Sequence, residues 1–265
     1  MIAALPMYST PANDALPRLW HGLAGHLRAH GVAGVPDALT HPINLHSHWR
    51  DPDLLLSQTC GYPLMTSLAG KVQLVGVFCY DAPGCEGAYY RSLLIVRADD
   101  TGHTLADFRG RIAAYNALES QSGYNSLRAL IAPLAEDGRF FAQAIASGSH
   151  AASIELVRAG QADIAAIDCV SLALRREADP AALHGIRILG QTAAAPGLPL
   201  ITSASTPAHQ LQLLRQGLAA AIADPHMAAA WAAFGITGFE VLPLAAYAVI
   251  LQMQQQAFDA GYSQL

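Results

Sequence analysis

Positive charge is scarce in this 265-residue chain, with 15 Lys+Arg against 20 Asp+Glu, and aromatic residues make up only 7%. Without a basic stripe to neutralise phosphates, the chain is not expected to bind nucleic acid. Long apolar runs are missing too: no window approaches the ~18 uninterrupted apolar residues of a membrane-spanning helix. Neither G-x-x-x-x-G-K-[ST] nor G-x-G-x-x-G occurs, which disfavours nucleotide use, and no G-x-S-x-G elbow points to acyl transfer. The four cysteines, Cys60, Cys79, Cys85 and Cys169, match no C-x-x-C or zinc-ribbon spacing. Cys79 and Cys85 flank the turn Asp81-Ala82-Pro83-Gly84. They are either bridged in an oxidising compartment or, the favoured reading, two idle thiols. The opening Met1-Ile2-Ala3-Ala4-Leu5-Pro6 has no basic segment leading into an apolar one and reads as a first strand. As written, the chain is expected in the cytoplasm, or in the periplasm if an export signal has been removed.

What is present is apolar: 52% of the residues are hydrophobic, enough to fill one large core or two smaller ones without disulfide staples. Short apolar runs alternate with helical patterns as far as about residue 200, the signature of an α/β fold with mainly parallel sheets. The spacing predicts strands at 2–7, 53–56, 72–80, 92–96, 111–115, 140–146, 162–167 and 186–191. Helices are predicted within 11–30, where Leu16, Leu19, Leu23 and Leu27 share a face, and at 122–134 and 149–159. A mostly helical tail follows Thr206-Pro207, read as an N-cap and first helical residue. Two series of similar grammar, joined by extended segments near 91–97 and 197–203, predict two lobes. Residues 1–92 and 200–265 form one, and residues 93–199 form an inserted second.

Two segments carry candidate chemistry. Tyr115-Asn-Ala-Leu-Glu-Ser120-Gln121-Ser122-Gly123-Tyr124 ends a strand in small hydroxylated residues that open a helix, and Ser147-Gly148-Ser149-His150 repeats the pattern. Backbone N–H groups and the positive dipole end at such helix starts suit an anion, and serine hydroxyls add donors without bulk. Ordinary N-capping by these serines would leave the same composition. His150 could supply a further donor. Asp168, closing a strand, either meets a ligand or caps the helix after it. Tyr8, Gln58 and Tyr62 follow the first two strands, where the lip of a cleft would lie. The pairs His46/His48 and His26/His30 have spacings that metal ligands use, but no local carboxylate completes either set, so no metal is expected. No cofactor is called for.

Taken in order, Leu105-Ala-Asp-Phe-Arg-Gly-Arg111, Ser120-Gln-Ser-Gly-Tyr124, Ser147-Gly-Ser-His150 and Gly160-Gln-Ala-Asp163 resemble the phosphate/phosphite/phosphonate substrate-binding proteins of ABC transporters. The resemblance spans nearly the whole chain. It implies a type II periplasmic-binding-protein fold, two α/β lobes closing on a ligand about two hinge strands, with no catalysis. It implies a small anion, phosphonate-, phosphate- or carboxylate-bearing, as ligand and a transporter permease as partner, with no insertion into the membrane. By position, Ser120, Gln121, Ser122, Gly123, Tyr124, Ser149 and His150 would hold the oxyanion. Tyr8 and Tyr62 would line the other wall, and Asp168 would meet an amino group. Gln121 stands where the family often has a small hydroxyl residue. Cytoplasmic enzymes of menaquinone and thiamine-pyrimidine synthesis resemble the same fold and are the alternative, with His150 or Asp168 as acid or base. A ligand-sensing module would also resemble it, but the chain carries no helix-turn-helix extension.

Overall fold

A computed structural model describes residues 1–8 and 14–265. The first residues, 11–13, of the stretch predicted to hold the first helix therefore lie outside the described residues. In chain order the elements begin with β1 (Ile2–Ala4), α1 (Ala15–Ala29), α2 (Leu45–Trp49), β2 (Leu54–Gln58), α3 (Gly61–Met65) and β3 (Val72–Tyr80). Next come β4 (Tyr89–Tyr90), β5 (Ser92–Arg97), β6 (Ile112–Tyr115), α4 (Ser126–Ile131), β7 (Gln143–Ala146), α5 (His150–Arg158), β8 (Ile164–Asp168), α6 (Cys169–Ala178) and β9 (Ile186–Gln191). The chain continues with β10 (Ala195–Pro196), β11 (Pro199–Ser203), α7 (Ala208–Ala223), α8 (Ala228–Ala232), β12 (Ile236–Glu240) and α9 (Ala248–Asp259).

The chain divides into two compact units. The first is Met1–Asp81, Glu86–Ala88 and Pro196–Ala246; the second is Ala82–Cys85, Tyr89–Ala195 and Tyr247–Leu265. The expected division gave all of 200–265 to the first lobe, but α9 packs in the second unit, where the Asn125 amide donates to the Ile250 carbonyl at 3.0 Å. β4 and β10 form their own two-stranded sheet, while β5 and β11 belong to the two main sheets.

In the first unit the sheet order is β1-β2-β11-β3-β12, with β1 parallel to β2 and with β11 and β12 antiparallel to their neighbours. The expectation of a mainly parallel sheet is thus refined to a mixed one. β11 is the chain returning from the second unit, so it enters the sheet against β2 and β3. Leu54, Leu55 and Leu56 of β2 are fully buried, as a strand flanked by helices must be. Leu19, Leu23 and Leu27 of α1 pack into the same core with Trp20, Leu214 and Leu218. Thr206 does not cap α7; Pro207 takes that position, and the Thr206 hydroxyl bonds Thr202 Oγ1 at 2.8 Å. The tail is not all helix, because Ile236–Glu240 forms the edge strand β12.

The second unit orders its strands β7-β6-β8-β5-β9, with β6, β7 and β8 parallel and β5 antiparallel to both neighbours. Its core gathers Leu94, Phe108, Leu127, Ile131, Phe140, Ile164 and Tyr262. The motifs 105–111 and 160–163 are structural. Asp107 closes a capping box with Thr104, and the Asp163 carboxylate accepts from the Ile112 N–H at 2.9 Å, fixing the start of β6.

Candidate functional site: a hydroxyl-rich turn at the sheet edge

The carboxyl ends of β6, β7 and β8 lie side by side, and the segments leaving them build the candidate site. After β6, residues Gln121–Asn125 make one π-helical turn that runs into α4. The wider turn is closed by the Asn125 N–H donating to the Ser120 carbonyl at 3.0 Å. Ser120 caps it, its hydroxyl oxygen accepting from the Gly123 N–H at 3.0 Å. The Ser122 carbonyl is fixed from behind by the hydroxyls of Ser92 and Ser126, at 2.8 and 2.7 Å.

The second helix start reaches the first. His150 Nε2 lies 2.9 Å from Ser122 Oγ, which in turn lies 3.3 Å from Ser120 Oγ. Gly123 permits this approach: a Cβ there would stand 2.0 Å from Asn116 Oδ1 and 3.2 Å from His150 Cε1. The turn after β7 is tied to the turn after β6 through the Ser147 and Gly148 N–H groups, which donate to the carbonyls of Tyr115 and Asn116 at 2.8 and 3.0 Å. Burial lowers the His150 pKa from its ordinary 6.5 to about 4, so the ring is neutral at pH 7. The tautomer protonated at Nε2 donates to Ser122 Oγ and leaves that hydroxyl its own proton to give. His150 Nδ1 and Asn116 Oδ1 are buried with no hydrogen-bond partner. The gathered groups Ser120, Ser122, Asn116 and His150 are all neutral donors or acceptors. Such a set can replace the water around an oxyanion without burying a charge of its own.

The other expected residues of this unit make contacts within the protein. Gln121 is buried and turned inward, its amide nitrogen 3.1 Å from Met253 Sδ and its amide oxygen accepting from Asn125 at 2.7 Å. Tyr124 is buried edge-on against Tyr115, with the Arg128 guanidinium over its ring at 5.4 Å. Ser149 caps α5, accepting from the Ala152 N–H at 3.1 Å. Asp168 caps α6, accepting from the Val170 and Ser171 N–H groups at 2.8 and 3.0 Å. Sequence reasoning missed Asn116, although its place just past β6 was a signal.

In the first unit, Tyr8 and Tyr80 meet edge-on at 5.1 Å, and the Gln58 amide donates to the Tyr80 hydroxyl at 3.2 Å. Tyr80, closing β3, was not foreseen. Tyr62 is half-buried in α3, where its carbonyl accepts from the Thr66 hydroxyl. The histidine pairs are structural: His26 Nε2 bonds Asp224 at 2.9 Å, His30 Nδ1 bonds the His26 carbonyl at 2.8 Å, and His46 packs on Trp49. The Cys85 thiol lies 3.5 Å from Cys169 rather than beside Cys79, which bonds Glu240.

Two α/β units with mixed sheets flanked by helices, one presenting paired helix starts at a sheet edge, define the class of the type II periplasmic binding proteins. The family model of the ABC-transporter phosphonate periplasmic substrate-binding protein matches residues 53–247, and the chain belongs to that family. Its members are transporter components and not enzymes, which sets aside the biosynthetic-enzyme alternative. Comparison with curated proteins finds no match. Among solved structures, the binding protein component of an ABC phosphonate transporter from Pseudomonas aeruginosa aligns with a TM-score of 0.74 at 16% identity, covering 98% of this chain and 87% of that one. PhnD1 from Prochlorococcus marinus, in complex with methylphosphonate, aligns with a TM-score of 0.74 at 14% identity over 96% of each chain. A Xanthomonas citri protein bound to chloride ion aligns with a TM-score of 0.73 at 18% identity over 98% of each chain. Among the described residues no helix is long and apolar enough to cross a membrane.

Proposed function

We propose that this ABC-transporter phosphonate substrate-binding protein holds the phosphonate oxyanion on the Ser120–Gly123 turn and His150. The observation that carries the reading is the 2.9 Å contact between Ser122 Oγ and His150 Nε2, which aims two helix starts at one point. Hydroxyls and backbone N–H groups stand in for the ligand's hydration shell, the neutral His150 imidazole holds the Ser122 hydroxyl so that its proton is free for the ligand, and both helix dipoles favour its charge. Asn116 joins this set; Gln121 and Tyr124 support the turn from within. Ser149 and Asp168 contribute by holding α5 and α6 in place. Tyr8, Gln58 and Tyr62 are proposed as the ligand-binding residues that the first unit itself carries. The protein works in the periplasm and passes its ligand to a transporter permease, as its family implies.

Calorimetric titration with methylphosphonate, phosphate and small carboxylates tests this. The phosphonate binds, and Ser122→Ala and His150→Ala each weaken it about tenfold or more, the worth of a charge-assisted hydrogen bond. No heat with any phosphonate, or full affinity in both variants, refutes the assignment.

A further inference from the structure

The chain's four thiols are not equivalent. Cys85, half-buried, lies in the turn 82–85, and its Sγ is 3.5 Å from Sγ of the buried Cys169, the first residue of α6. The two are 84 positions apart in sequence. The turn is shaped for this approach. The Cys85 N–H donates to the Ala82 carbonyl at 2.8 Å, and Gly84 takes a φ of +106° that other residues rarely adopt. A Cβ on Gly84 would stand 3.1 Å from the Cys169 Cβ, so the turn lies directly on the helix start. Cys79, by contrast, is engaged by Glu240 in the other unit.

We propose that Cys85 and Cys169 are a dithiol site that closes into an intramolecular disulfide in oxidising surroundings. The co-reactant is a small disulfide such as oxidised glutathione. The Cys85 thiolate, at the accessible end, attacks one sulfur of that disulfide, forming a mixed disulfide and expelling a thiolate. The Cys169 thiolate then attacks Cys85 Sγ, forming the Cys85–Cys169 bond and expelling the second thiolate. The two protein thiols lose two electrons and two protons, and the oxidant is reduced to two thiols. A disulfide needs the sulfurs at about 2.05 Å, so the 3.5 Å between the two Sγ atoms closes on oxidation. The Cys169 contact and burial both hold the Cys85 thiol protonated, so the reaction quickens as pH rises.

The whole protein is incubated with oxidised glutathione, denatured, alkylated and mapped by mass spectrometry. The expected product is two hydrogens lighter, carries a Cys85–Cys169 linked peptide and keeps Cys60 and Cys79 alkylatable. Cys85→Ser abolishes the link, while Cys79→Ser leaves it intact. Oxidation raises the urea midpoint of the native protein and leaves that of Cys85→Ser unchanged. A stable glutathione adduct on Cys85, a Cys79–Cys85 link, or four alkylatable thiols after prolonged oxidation would each overturn the proposal. The phosphonate assignment is read in a separate titration and survives any of these results.

Discussion

His150 offers a quantitative test of the site's electrostatics. In the unfolded chain its imidazole titrates near 6.5, whereas burial in the native protein lowers this to about 4. Between those values the unfolded chain holds a proton that the native protein does not, so native stability falls as pH drops through the window and levels off below it. At about 1.4 kcal/mol per pH unit, the gap corresponds to roughly 3 kcal/mol as a ceiling, since His150 as a residue is only half-buried. That is a large share of the ~5–15 kcal/mol by which domains are stable. The assay is urea unfolding followed by tryptophan fluorescence at several pH values from 7 to 4, on the native protein and on His150→Gln, which keeps a donor toward Ser122 but does not titrate. Other acid-sensitive groups are common to both proteins and cancel in the difference. The native protein is expected to lose up to about 3 kcal/mol relative to the variant across the window. Parallel profiles would show that the ring is solvated and that the neutral-donor account of the site is wrong.

Gly123→Ala forces Asn116 aside and is expected to cost phosphonate affinity at least about tenfold, with affinity partly recovered in Gly123→Ala/Asn116→Ala; an unaffected titration would remove Gly123 from the site. Asp168→Ala is expected to lower stability by about 1–2 kcal/mol through loss of the α6 cap, and Asp168→Asn by less; an Asp168→Ala protein of unchanged urea midpoint but weakened aminophosphonate binding would return Asp168 to the ligand. Gly76→Ala would put a methyl 2.4 Å from the Phe239 ring and 2.7 Å from the Glu240 carbonyl, so thermal unfolding should report a loss of about 1–3 kcal/mol from β12 being pushed off β3.

Local grammar was legible wherever one element decided its own form. Val72–Tyr80 and Ile186–Gln191 read as strands at the bounds they adopt, because their apolar runs are bracketed by turn residues. The two serine-rich helix starts were legible as a pair because strand, hydroxyl and helix followed one another twice. What stayed hidden depends on partners distant in the chain. Gln121 sits among hydroxyl residues in sequence, yet Met253, 132 positions on, takes its amide. Ile236–Glu240 contains Gly238 beside an alanine-rich stretch, and pairing with β3 makes it a strand. Asp168 could be read as a ligand or a cap, and two backbone N–H groups show that it caps.

The packing of α9 behind the serine turn bears on how this protein is made. Arg128 is buried under the turn: its guanidinium donates to the Ser263 carbonyl at 2.7 Å and to Asn125 Oδ1 at 3.1 Å, and it lies over the rings of Tyr124 and Phe258. The backing of the hydroxyl cluster is therefore supplied by residues that leave the ribosome after every strand of both sheets. A nascent chain halted before residue 247 would carry Ser120, Ser122 and His150 without the α9 contacts to Asn125 and Gln121, so a fragment cut at 89–195 is expected to lose the proposed anion site.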